Sequence, residues 1–129
     1  MVLPKGMRLK GYKSFNYIHK YSKRYKGNLM MLKLVKANKH IIKGKGKSLD
    51  HSHSCKCAIS ISNKVSKRAV VRNRLRRLLH EHLRKKLFGK SNFIDYWALI
   101  SLNTNCLNSD SKDLIEECDN LFLKAGFSP

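Results

Sequence analysis

Carboxylates are scarce in this chain of 129 residues. Eight acids stand against 28 lysines and arginines, and before residue 110 the acids are Asp50, Glu81 and Asp95 alone. A carboxylate pair for acid–base work, or a cluster to hold metal ions, is hard to assemble from so few. Other absences narrow the field further. No apolar run approaches the roughly 20 residues of a membrane-spanning helix. The opening MVLPKGMRLKGY is charged and has no apolar h-region of a secretory signal, so a cytoplasmic location is expected. There is no GxxxxGK[ST] phosphate loop, no paired C-x-x-C and no internal repeat. Cysteine and histidine are present, but no spacing pairs them for nucleophilic catalysis. The residues therefore describe a chain without an active site of its own.

What is present is positive charge, a formal +20. It is unevenly spread, because residues 110–129 hold five of the acids against two lysines. The basic remainder calls for a polyanionic partner: RNA, DNA or an acidic membrane. The membrane fits worst, since the most basic helical segment carries leucines without the aromatic anchors of interfacial helices.

That segment, residues 64–86 (KVSKRAVVRNRLRRLLHEHLRKK), is the most informative stretch. On a helical wheel Val71, Leu75, Leu78, Leu79 and Leu83 gather on one side, and Asn73, Arg74, Arg76, Arg77, His80 and Arg84 occupy the opposite arc. One face docks on a core and the other is a cationic strip. Arginine outnumbers lysine there, which favours forked phosphate contacts. Like charges at Arg72 and Arg76, four residues apart, destabilise an isolated helix, so an anionic partner is expected to compensate them. A solvated charged face would mix signs, and this one contains a single acid, Glu81. His80 reads as a nucleic-acid-facing donor and His82 as partly buried.

Four cysteines (Cys55, Cys57, Cys106, Cys118) without a secretory signal suggest reduced thiols. His51, His53, Cys55 and Cys57 fall two apart, which invites a metal reading. In an extended strand they would spread over about 20 Å, too far to close one tetrahedron. Cys57 is better read as a small core hydrophobe, and no metal site is assigned.

Along the chain, residues 12–21 form a short amphipathic helix with Phe15, Ile18 and His19 at i, i+3 and i+4. Gly27 and Asn28 break the pattern. Residues 29–36 read as a strand, residues 37–54 as a flexible basic loop, and residues 56–62 as a half-buried strand whose Cys57, Ile59 and Ile61 alternate with polar positions. The basic helix runs from near Arg68 to Phe88–Gly89. Residues 93–101 are a nearly continuous apolar run, hence a central strand. A final helix follows from a cap at Ser109 or Asp110 to about Lys124, buried through Leu114, Ile115, Cys118, Leu121 and Phe122. The order predicts a single α+β domain over residues 1–129, with helices packed on one antiparallel or mixed sheet. A fourth strand, if present, is placed within residues 37–50.

The string K-x-x-x-x-A-x-x-R-N-R-x-R-R, from Lys64 through Arg77, resembles the signature of the bacterial ribonuclease P protein family. The resemblance spans most of the chain: the opening Leu3 to Phe15, the strand ending Ser60-Ile61-Ser62, the strand beginning Asp95-Tyr96, and Leu121-Phe122 in the last helix. It implies a two-layer α/β sandwich of about four strands and three helices with a left-handed βαβ crossover, where sequence alone would predict a right-handed one. It further implies a non-catalytic protein cofactor, the partner of an RNA enzyme that removes the 5′ leader of precursor transfer RNA. Divalent metal, magnesium, would act at the RNA active site, and neither metal nor a further protein would be required by the chain itself. By the match, Arg72, Asn73, Arg74, Arg76 and Arg77 contact the catalytic RNA, with Lys64, Lys67, Arg68, His80 and Arg84 beside them. Phe15 lines a leader cleft between the first helix and the sheet, where its ring can stack on an unpaired base; the alternative is a core phenylalanine. His19 stands where the family often has a second aromatic, Lys33 replaces a cleft aromatic on the first strand, and Ser101 replaces an arginine. Leader contacts at His19 and Lys33 are therefore expected to be more ionic. The competing reading is a structural RNA-binding protein such as a ribosomal protein, which size and charge would serve equally well.

Overall fold

The computed structural model describes residues 9, 12–36, 56–87 and 96–126. Helix α1 spans Tyr12–Tyr21, strand β1 Lys23–Lys26, β2 Met30–Lys36 and β3 Lys56–Ser60. Helix α2 spans Ala69–Leu87, strand β4 Tyr96–Leu102, a 3-10 turn Thr104–Asn108 and helix α3 Ser111–Lys124. The strands form one mixed sheet in the order β1-β2-β4-β3. β2 is antiparallel to β1 and to β4, and β3 is parallel to β4. The unit β3–α2–β4 is thus the crossover to which the resemblance assigns its handedness. The segments 37–54 and 88–95, with Cys55 and the two histidines beside it, lie outside the described residues.

β4 is central because its sequence is apolar on both sides of the pleat. Ala98, Ile100 and Leu102 join Met30, Leu32, Leu34, Cys57 and Ile59 in the larger core, closed by Leu79 and Leu83 of α2 and Leu114, Cys118, Leu121 and Phe122 of α3. Trp97 and Leu99 point the other way and pack with Ile18 of α1 and Leu9. Helices therefore cover both faces, α2 and α3 on one and α1 on the other. The expected sandwich gains a thinner third layer, because β4 presents large apolar side chains to both sides and each must be covered.

Two further expectations change. The fourth strand of the described sheet is β1, and the segment 37–50, where the sequence reading placed one, lies outside the described residues. β1 is short, exposed and almost wholly basic, KRYK, so apolar alternation never marked it. Charge on an edge strand is also what discourages pairing with another chain. In α1, Ser14 and Ile18 are buried, Phe15 is half-buried and His19 is exposed, so the buried stripe is rotated away from His19. Asp110 is the N-cap of α3, but its side chain makes no capping hydrogen bond, and Ile115 is half-buried.

The acids of α3 act across the fold. Glu117 accepts from the backbone N–H groups of Leu29 (2.7 Å) and Met30 (3.0 Å), closing the β1–β2 turn from the far side of the core. Asn103 and Asn105 donate to the carbonyl of Asn28 in the same turn, at 2.9 and 3.0 Å. Asp119 meets His82 Nε2 at 2.7 Å and Lys86 Nζ at 3.7 Å, joining α3 to α2. His82 is partly buried, as expected, yet its neighbour is a carboxylate, which the surrounding arginines gave no hint of.

Candidate nucleic-acid interface

The cationic strip begins before the helix. Val65 is buried, and its N–H donates to the Ser62 carbonyl at 3.0 Å. Ser62 Oγ accepts from the Lys64 N–H and Ser66 Oγ from the Arg68 N–H, each at 3.2 Å. These local turns leave Lys64, Lys67 and Arg68 exposed while fixing the backbone that carries them. Arg72, half-buried, donates through Nη1 to the Ser66 carbonyl at 2.9 Å and ties the loop to the first turn of α2.

Along α2 the wheel reading holds. Leu79 and Leu83 are fully buried, Leu75 and Leu78 pack against them, and Asn73, Arg74 and Arg77 are exposed. Arg76, His80 and Arg84 are half-buried along one flank. Arg76 Nη1 donates to Asn73 Oδ1 at 3.0 Å, which uses the amide oxygen and turns the amide donors outward. Arg84 is paired with Glu81 at 3.1 Å. Arg74 and Arg77 pair with no acid among the described residues, so they are the least committed cations of the strip.

The second feature is on the α1 side of the sheet, and the strand register defines it. Residues directly opposite share a face. One row across the sheet reads Arg24, Lys33, Leu99, Ala58, and the next reads Lys26, Met31, Ser101, Ser60. Leu99 is buried under α1 and packs with the cluster that holds Phe15 and Ala58. In the second row Met31 and Ser101 are half-buried and Lys26 and Ser60 exposed, so this row is the uncovered floor beside the helix. Phe15 and His19, one turn apart, lie on the same flank of α1. The floor ends at Ser60, two residues before the Ser62 turn that starts the basic loop.

Lys33 and His19 touch one another: Lys33 Nζ lies 2.9 Å from His19 Nδ1. Arg24 Nη2 donates to the His19 carbonyl at 3.2 Å. Partial desolvation, then Lys33, then Arg24 hold the His19 imidazole below its ordinary value near 6.5. Desolvation and then Arg24 lower the Lys33 ammonium as well. A neutral imidazole can accept from the lysine, which makes the contact a hydrogen bond. The structure thus brings Phe15, His19 and Lys33 to one end of a shallow groove. It adds Arg24, which sequence reasoning missed with its strand; Gly27-Asn28 between two extended runs was the hairpin signal that could have found it.

On the other flank of α1, Tyr17 packs edge-on against Trp97 with ring centroids 5.9 Å apart, so that side is closed. Among the described residues no three His, Cys, Asp or Glu side chains gather as a metal site. Cys57, Cys106 and Cys118 are buried thiols, and no described helix is long and apolar enough to cross a membrane.

The model of the family described as Ribonuclease P matches residues 3–126. A ribonuclease P protein component from Prochlorococcus marinus is 62% identical over 127 residues, covering 98% of this chain and 99% of its own length. One from a Synechococcus species is 46% identical over 132 residues, covering the whole of both chains. Among solved structures, the fold is similar to the RNase P protein of Staphylococcus aureus, with a TM-score of 0.72 at 18% identity over 92% of this chain and 94% of that one. It is also similar to the RNase P protein of Thermotoga maritima, with a TM-score of 0.65 at 18% identity over 88% and 93%.

Proposed function

The chain belongs to the ribonuclease P protein family, and we propose that it serves in the cytoplasm as the protein subunit of ribonuclease P, binding the catalytic RNA and the 5′ leader of precursor transfer RNA. The observation that carries the reading is the continuity of two surfaces. The α2 strip with Lys64, Lys67 and Arg68 adjoins, through the Ser62 turn, a groove floored by Ser60, Ser101 and Met31.

Each surface suits a different task. Arg72, Asn73, Arg74, Arg76 and Arg77, with His80 and Arg84 on the flank, present forked donors on a rigid helix, which suits the phosphates of a folded RNA. The groove is half-apolar and bordered by Arg24, Lys26 and Lys33, which suits a single strand. Phe15 offers part of a ring face to a base, while His19 and Lys33 offer polar contacts. Strand and RNA would thus meet across one cationic boundary, and the protein would offset their mutual repulsion.

Hydrolysis is assigned to the RNA partner with its divalent metal. The few carboxylates support this assignment, because Glu117 and Asp119 are engaged in holding the fold and Glu81 pairs with Arg84. The chain's part is to bind, orient and neutralise.

The test is cleavage of precursor transfer RNA by a bacterial ribonuclease P RNA at low magnesium, with and without the protein. Correct 5′-end cleavage rescued by the protein, and absent with protein alone, is the expected result. Tight binding to the RNA without rescue would overturn the assignment.

A further inference from the structure

Arg24 on β1 and Lys33 on β2 sit directly opposite one another on the α1 face of the sheet. Like charges facing across a ladder destabilise it, so the pairing needs a compensating anion. Among the described residues none is supplied there. The described residues of α1, β1, β2, β3 and β4 contain no aspartate or glutamate. All the described carboxylates belong to α2 or to residues 110–119, and α2 and α3 pack on the opposite face.

Both cations are also held in place. The Arg24 guanidinium is tethered to the His19 carbonyl at the last turn of α1, and the Lys33 ammonium to the His19 ring. Each retains unspent donors after making that contact. His19 thus acts as a bracket that sets two cations at the mouth of the groove, in front of Phe15. Fixed donors of one sign are what a compact anion requires, and a ring face alone does not use them.

We propose that Arg24, Lys33 and His19 form a seat for one backbone phosphate of the single-stranded leader, with Arg24 and Lys33 as its direct contacts and His19 as the residue that positions them. This rests on the leader-binding reading above and adds which moiety is recognised and where. A seat for a phosphate reads no base, so it sets the register of the strand without sequence preference.

The test uses the reconstituted holoenzyme and precursor transfer RNAs whose leader carries a single neutral methylphosphonate at successive linkages. Affinity is compared with that for mature transfer RNA. One linkage is expected to lose on the order of ten-fold in affinity when neutralised. That loss should vanish in Arg24→Gln and Lys33→Met, while removal of a leader base should cost the same in variant and parent. His19→Phe should weaken the coupling, and His19→Gln, which keeps an acceptor, should restore part of it. Thermal unfolding of each variant separates misfolding from lost binding. Enhanced precursor affinity with no linkage coupled to Arg24 or Lys33 would overturn the seat and leave the leader-binding reading standing. No preference for precursor over mature transfer RNA would overturn both.

Discussion

The carboxylate of Glu117 occupies the space that a β-carbon on Gly27 would need. The same carboxylate accepts from Leu29 and Met30, so α3 and the β1–β2 turn fit together only when residue 27 has no side chain. Glu117→Ala should destabilise the fold by about 1–3 kcal/mol, because two backbone donors lose their acceptor. Gly27→Ala should cost a comparable amount by displacing that carboxylate. The double variant should be less destabilised than the sum of the two. Urea unfolding of the four proteins checks this, and strict additivity would show that the two residues do not share one contact.

Arg72 and Arg74 stand two residues apart in the family signature and have different tasks. Arg72 is half-buried and holds the Ser66 carbonyl, whereas Arg74 is exposed. Arg72→Ala should therefore lower stability by about 1 kcal/mol as well as weaken RNA binding. Arg74→Ala should leave the unfolding midpoint unchanged and reduce the slope of log affinity against log salt by about one phosphate contact. Equal stability of the two variants would remove the structural role from Arg72.

His19 links stability to pH in a definite direction. Its folded-state value lies below 6.5, so the unfolded chain takes up the proton first. Stability is then full above about 6.5 and falls with the pH through the interval down to the folded-state value. The effect should be small, since His19 is exposed and solvent screens it. Between about pH 8 and about pH 5 the melting temperature of His19→Gln should decline less than that of the parent. Parallel declines would mean that the His19–Lys33 contact does not persist in solution.

Burial pushes the Cys118 thiol well above its ordinary range, and raises Cys106 less. With Cys57 they lie inside the core, so a thiol reagent at neutral pH should modify none of the three in the native protein. All should react in denaturant, as mass spectrometry of labelled peptides would reveal. Rapid native labelling of Cys118 would contradict the packing of α3 on the sheet.

Much of this was legible in the chain. The limits of α1 and α3, the leucine face of α2 and the burial of Cys57 all follow from periodicity, which is a local property. β1 was not legible, because three of its four residues are basic and only its partner β2 makes it a strand. The contacts of Glu117 and Asp119 were not legible either. Read along the helix, the acids of α3 look like complements to its dipole, yet two of them reach across to a turn and to another helix.

The sequence by itself determined the helices, the apolar strands, the charge and the family, because hydrophobic period, arginine spacing and a fourteen-residue signature reside in neighbouring residues. Only the tertiary structure decided which cations act together. Arg24, Lys33 and His19 meet because a hairpin register sets Arg24 opposite Lys33 and because the buried residues of α1 turn His19 toward them. Register and helix rotation are set by what is buried elsewhere, so no reading along the chain alone reaches them.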